Sequence, residues 1–282
     1  WAPHFGFHPR LPPHAIAAGA DAMVTSAHKA LPSRTQAAIV LARTGLLDAD
    51  RLERAFDATN TTSPAGDIMA STDAARALLA RDGRQLCGRL LLNVEKARAR
   101  LREVPGLDVL DGDGVDPSKL VVLLAGTGAH GGQVEADLIA AGMPVEMADR
   151  DTVVPMVTIA DPPEQVEAFT SVLIGLVEKH RGTPRHPVPA ASWTVEPQTV
   201  IPPREAFFAP HRTVPAKDAI GQVSAELVAP YPPGIPVLAP GELITAQAVA
   251  ALRDAKADGG RIAYAADPTL RTFQIVTHVT GV

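Results

Sequence analysis

Cysteine is almost missing from this chain. Cys87 is the only one in 282 residues. Neither a disulfide framework nor a cysteine-built zinc site can be assembled from it, and a reducing cytoplasm is the compartment that suits it. A basic excess is missing too: 26 Lys and Arg stand against 31 Asp and Glu, a net charge of -5. Nucleic-acid partners select for a basic face and are therefore not expected. No apolar run is long enough to cross a bilayer, so no membrane partner is expected. No signal-peptide pattern opens the chain, and there is no internal repeat. What is present is a globular composition. Apolar residues make up 46% of the chain, and the length supports two or three domains with a sizeable core.

The stretch Ala22-Met-Val-Thr-Ser-Ala-His-Lys29 concentrates the chemistry. Residues 22–24 read as a short buried strand. Thr25, Ser26, His28 and Lys29 follow at its end. Hydroxyl and imidazole groups donate hydrogen bonds to phosphate oxygens. An amine in a partly apolar site loses its charge readily and can form a Schiff base with a carbonyl. That combination suits pyridoxal 5'-phosphate (PLP). A solvated strand end has the same local composition, so the flanking sequence has to decide.

Residues 5–13 form a proline- and histidine-rich loop. His4 and His8 have a spacing that ligates metal on a helix. Pro3 and Pro9 oppose a helix there and no third ligand is evident, so no metal site is expected. Residues 31–41 return to an apolar strand. Asp48 caps a helix over 48–56, and Thr59-Asn-Thr-Thr-Ser-Pro64 is a hydroxyl-rich turn. The stripe Ala74, Ala75, Leu78, Leu79, Leu86, Leu90, Val94 predicts a long helix from Ile68 to about Leu101, which Gly83 and Gly88 could interrupt.

Strand signals at 107–110, 119–125, 145–148 and 154–159 alternate with helix signals at 133–141 and 163–178. This order suits a small α/β sandwich with a mostly antiparallel sheet. Within it, Gly126-Thr-Gly-Ala-His-Gly131 satisfies G-x-G-x-x-G between a strand and a helix. Asp149 lies about 20 residues on, where a dinucleotide fold places its ribose-binding acid. Only one such unit is present, and the loop to the next strand is too short for a parallel crossover. A plain turn is therefore favoured over NAD binding. Residues 182–189 have a linker composition. Beyond them come a helix start at 202–208, a helix and strand over 217–226, a rigid turn at Tyr231-Pro-Pro-Gly-Ile-Pro236, and a terminal amphipathic helix over 245–256.

The segments Trp1-Ala-Pro-His-Phe-Gly-Phe-His-Pro-Arg-Leu-Pro-Pro13, Ala18-Gly-Ala-Asp21 and Thr25-Ser-Ala-His-Lys29 resemble, in that order, the lysine region of the bacterial ornithine/lysine/arginine decarboxylases. So do Thr61-Thr-Ser-Pro64, Met69-Ala-Ser-Thr-Asp-Ala-Ala-Arg76, and Tyr231-Pro-Pro-Gly-Ile-Pro236 with Pro240-Gly-Glu242. The likeness covers nearly the whole chain. Ser-x-His-Lys and Tyr-Pro-Pro-Gly-Ile-Pro are specific together and weak alone.

The resemblance implies an α/β fold: the C-terminal part of a fold-type-I PLP large domain with its connector helix (1–103), a small α/β domain (104–181), and a proline-rich linker with a C-terminal domain (182–282). It implies Lys29 and His28 as catalytic residues. Lys29, Ser26 and His28 would hold PLP, and Thr62 and Ser63 would reach the partner subunit's cofactor phosphate. Ala65-Gly66-Asp67 departs from the family's Ser-Tyr-type pair and puts local contacts there in doubt. His4 would line the cleft. The implied reaction is decarboxylation of lysine, arginine or ornithine to a di- or polyamine and carbon dioxide, in a cytoplasmic homodimer or higher oligomer with a shared site. A fold-type-I aminotransferase or aldolase, or a non-catalytic descendant, is the alternative. Glu205, Glu226 and Glu242 are unranked candidates for binding the substrate's side-chain cation. The family places an Asp-Glu-Ala triplet, whose Asp pairs with the PLP ring nitrogen, just before the position of Trp1. A further segment carrying it is therefore expected to pack beside Trp1.

Overall fold

Residues 22–26 alternate between exposed and buried, the signature of a strand with one covered face. In the computed structural model, which describes residues 6–43, 45–187, 191–231 and 234–277, this strand β1 (Ala22–Ser26) leads into the short helix α1 (Ala27–Ala30) and strand β2 (Ala38–Ala42). The strands pair antiparallel, with Val24 opposite Val40 and Ser26 opposite Ala38. The expectation of a buried strand is corrected here. Met23 and Thr25 are covered, but Val24 is 70% exposed. A hairpin whose second face is uncovered leaves every other side chain in solvent.

The described chain falls into two compact units. The first takes the residues up to Arg102 with 109–120 and 156–171. Helix α2 (Ala49–Thr59) starts at Asp48, whose carboxylate accepts from the Arg51 amide at 2.9 Å, as a cap residue should. Helix α3 (Gly66–Arg102) is 37 residues long and runs unbroken through Gly83 and Gly88. Its buried positions, among them Ala75, Leu79, Cys87, Leu90, Val94, Ala97 and Leu101, recur at three- and four-residue steps. The two glycines are clearances rather than breaks. A Cβ at Gly83 would press on Phe7 at 3.0 Å, and one at Gly88 would touch the His8 ring at 3.5 Å.

The second unit takes 103–108, 121–155 and the described residues from 172 on. Chain order continues with β3 (Asp108–Val109), β4 (Val122–Leu123), α4 (Gly131–Ala140), β5 (Met147–Ala148), β6 (Thr152–Val154) and α5 (Pro163–Lys179). Strands β4, β6 and β5 lie side by side, antiparallel at both pairings. The strand expected over 154–159 ends at Val154 instead. Pro155 follows it, and proline has no N–H to give a ladder.

The stretch expected as a linker is stitched down. Arg185 donates at 2.7 Å to the Asp151 carboxylate and to the carbonyls of Gly128, Ala129 and Arg150. Helices α6 (Ala191–Thr194) and α7 (Pro203–Phe208) follow, then β7 (His211–Pro215), α8 (Ala216–Ala219), β8 (Ala229–Tyr231), α9 (Ala246–Ala257), β9 (Arg261–Ala263) and β10 (Thr272–Val276). Thr245 caps α9, accepting from the Ala248 amide at 3.0 Å. This helix is not terminal: β9 pairs with β8, and β10 with β7. The strand expected before Glu226 reduces to single bridges at Val223 and Ser224. Phe273, Ile275, Leu252, Ile244, Leu238 and Leu270 form the core of this region.

Candidate functional site

Ser26 ends β1 and stands at the N-cap position of α1, with an extended backbone (φ -72°, ψ 115°) and a hydroxyl that makes no capping bond. The first two amides of α1 turn to one oxygen instead. Ala27 N donates to the Ala37 carbonyl at 2.9 Å, and His28 N reaches it at 3.4 Å. His28 Nδ1 lies 2.9 Å from the same oxygen. A carbonyl only accepts, so Nδ1 is the donor and carries a proton. Lys29 follows in the same short helix and is exposed. Lys29 stands three positions after Ser26, about one helical turn. A hydroxyl, an oriented imidazole and an amine thus share one strand-to-helix junction. These groups suit an anion and a carbonyl.

The return from this junction is tied to the start of α3. Arg34 N donates to Ser71 Oγ at 3.0 Å, and the Arg34 guanidinium lies 3.7 Å from the Asp67 carboxylate. Thr62 and Ser63 are elsewhere, on the exposed loop between α2 and α3, where the Ser63 amide donates to Thr61 Oγ1 at 3.2 Å. His8 Nδ1 accepts from the Arg10 amide at 3.2 Å. His4, expected to line the cleft, lies outside the described residues.

Two family models match this chain: "Orn/Lys/Arg decarboxylase, major domain" over residues 1–137 and "Orn/Lys/Arg decarboxylase, C-terminal domain" over residues 189–256. The chain belongs to the Orn/Lys/Arg decarboxylase family. Arginine decarboxylase of Halalkalibacterium halodurans is 33% identical over 284 residues, covering 97% of this chain and 58% of that protein. Arginine decarboxylase of Bacillus subtilis is 34% identical over 255 residues, covering 86% of this chain and 51% of that protein. Lysine decarboxylase A from Pseudomonas aeruginosa shares the fold with a TM-score of 0.78 at 18% identity, over 98% of this chain and 52% of that one. The chain thus spans between a half and three fifths of the length of these relatives.

Of the three acids that are candidates for a substrate's side-chain cation, Glu226 and Glu242 are committed to backbone amides. Glu226 is buried, and its oxygens accept from the amides of Ala266 and Gln274, both at 2.7 Å. Glu242 accepts from the Ala239 amide at 2.8 Å and closes a turn. Glu205 is exposed in the first turn of α7.

A feature missed by sequence reasoning is a cleft of about 530 Å³ in the second unit, lined by Glu135, Glu146, Asp149, Asp254 and Arg261 among others. Burial pushes the Glu135 carboxyl up. Arg150, also on its wall, bridges Asp151 at 2.8 Å and Asp258 at 3.6 Å. These residues come from stretches more than a hundred positions apart, so no local spacing could have signalled them.

Proposed function

We propose that this chain supplies the cofactor lysine and its surroundings to a PLP-dependent decarboxylase acting on lysine, arginine or ornithine. The observation that carries this is the Ser26–His28–Lys29 junction, found in a chain of the Orn/Lys/Arg decarboxylase family. Its donor set suits the cofactor. The Ser26 hydroxyl is not spent on capping α1 and can donate to a phosphate, and Lys29 offers a primary amine one turn away. Lys29 Nζ would hold the cofactor aldehyde, with Ser26 and His28 at its phosphate or its ring. Thr62 and Ser63 would serve the phosphate of a partner subunit in a cytoplasmic homodimer or higher oligomer.

Bound PLP supplies the electron sink that lets a carboxylate depart as carbon dioxide. The residues of this chain do the rest. Lys29 binds, and when released its Nζ can carry a proton. The Ala37 carbonyl holds the His28 ring through Nδ1, leaving Nε2 as the second proton-exchanging atom. The carbon that loses carboxylate needs a proton in its place; Lys29 Nζ can deliver one, and His28 Nε2 can do so after first accepting a proton.

Borohydride reduction of the PLP-treated protein, followed by peptide mass mapping, tests the assignment. The pyridoxyl mass should fall on Lys29. Lys29→Ala should lose it, and turnover should drop by several orders of magnitude. Carbon dioxide release from lysine, arginine or ornithine separates this reading from an aminotransferase, which would yield a keto acid. Labelling at another lysine, or full turnover by Lys29→Ala, would sink it.

A further inference from the structure

Gln36 has a left-handed backbone, φ +77°. Glycine and asparagine adopt that region readily; glutamine does so only when its surroundings impose it. The Ala37 amide donates to the Arg34 carbonyl at 3.1 Å, so residues 34–37 close a four-residue turn with Gln36 at its third position. Turns of types II and I′ require a positive φ there. The turn is held from both ends. Arg34 is tied to Ser71 and Asp67 at the start of α3, and Ala38 is paired with Ser26 in the β1–β2 ladder. Between those anchors the Ala37 carbonyl faces the start of α1. It takes Ala27 N and His28 Nδ1 at 2.9 Å each, with His28 N farther off at 3.4 Å. Ala37 is only 3% exposed, so water has little access to compete for that oxygen.

We propose that Gln36 is a positioning residue: its left-handed turn aims the Ala37 carbonyl at His28 and fixes the imidazole as the Nδ1–H tautomer, with the Nε2 lone pair on the opposite side of the ring. This deepens the reading of the Lys29 site, and its catalytic meaning rests on that reading. A free neutral imidazole can carry its proton on either nitrogen. Here the carbonyl removes the choice, and Nε2 becomes the atom that accepts a proton or hydrogen bond.

The test reads the tautomer directly, on the full chain labelled with nitrogen-15 histidine, without cofactor or substrate, at an alkaline pH that leaves histidines neutral. Wild type and Gln36→Gly, which accepts the turn without strain, should both show His28 Nδ1 as pyrrole-type and Nε2 as pyridine-type. In Gln36→Val a β-branched residue resists the positive φ, and the two nitrogen shifts should move toward their mean. The double variant Asp67→Ala, Ser71→Ala releases the Arg34 anchor without touching the turn's own sequence and should move them the same way, by less. Nε2–H in wild type overturns the proposal. So does a wild-type pattern in a folded Gln36→Val or, should that variant not fold, in the double variant. If the tautomers behave as stated but borohydride reduction of the PLP-treated protein places no pyridoxyl mass on Lys29, the reading of the Lys29 site fails and this one stands.

Discussion

Arg185→Ala removes a guanidinium that makes four contacts at 2.7 Å: one to the Asp151 carboxylate and three to the carbonyls of Gly128, Ala129 and Arg150. Its side chain is about three-quarters covered, and the Asp151 side chain is almost wholly so. Charge-assisted bonds of this kind contribute about 1.5–3 kcal/mol each, though not additively within one group. Breaking a buried ion pair costs about 3–5 kcal/mol because it strands the partner. Asp151 would not be stranded completely, since Arg150 still reaches it at 2.8 Å. The lower end applies, and we expect a loss of about 3 kcal/mol. Arg185→Lys should recover under half of it, because a point charge can meet Asp151 but cannot fork to three carbonyls. Urea unfolding of the full chain followed by circular dichroism measures both, together with exchange of the Gly182 amide, which donates to the Thr127 carbonyl at 3.1 Å. If Arg185→Ala shifts stability by less than about 0.5 kcal/mol, the level of an ordinary surface substitution, the residues after α5 behave as the linker their composition suggested, and the reasoning fails.

Two further outcomes follow from buried and exposed carboxylates. Glu226→Gln places an amide NH₂ where one of two backbone amides now donates, so stability should fall by about 2–3 kcal/mol, while KM for a basic amino acid stays within twofold; a large KM change would make Glu226 a substrate ligand after all. Thr269 and Thr272 hold the Asp267 carboxyl well below its usual 3.8. A depressed folded-state value means that the contribution is complete above the usual value and disappears as the pH falls through the folded one. Wild type and Asp267→Asn should therefore differ at pH 7 and converge progressively as the pH drops below about 4; a difference that widens toward acid pH would refute the sign.

Helix α3 was legible almost to the residue because its stripe of Ala75, Leu79, Leu90 and Val94 repeats over about five turns, more signal than two glycines can cancel. Asp48 and Thr245 were legible as caps, or as starts, because capping is decided within four residues. Strands β7, β9 and β10 were not foreseen. His211–Pro215 buries only Val214, so alternation is nearly absent, and its partner lies some sixty residues away. Of the junction at Lys29, the residue types could be read in order, but the Ala37 carbonyl could not. Backbone acceptors carry no sequence signature, and the bond depends on a left-handed Gln36 that no propensity favours. The cleft acids and the Arg185 contacts were invisible because they join residues far apart in sequence, which no local pattern records.

The Gly126–Gly131 motif shows what a local pattern can and cannot decide. All three motif glycines have packing reasons that involve no ligand. A Cβ on Gly126 would strike the Gly106 carbonyl oxygen. Gly128 has φ +74° and lies against the backbone of Gly182, and a Cβ on Gly131 would meet the carbonyl oxygen of Asp149 and, at 2.7 Å, that of Thr152. The space that a dinucleotide fold gives to pyrophosphate is here taken by protein backbone. Asp149, placed by sequence at the ribose position, sits in the turn between β5 and β6, where its carboxylate accepts from the Asp151 amide at 2.8 Å. The strand that follows pairs antiparallel with both β4 and β5, whereas a nucleotide-binding crossover needs parallel neighbours. Glycine spacing records that backbones approach closely at three points. Whether the approaching backbone belongs to the protein or to a ligand is decided by strand direction, and strand direction is fixed here by a two-residue turn, Arg150–Asp151 between β5 and β6, closed by the Asp149 amide donating to the Thr152 carbonyl at 3.0 Å.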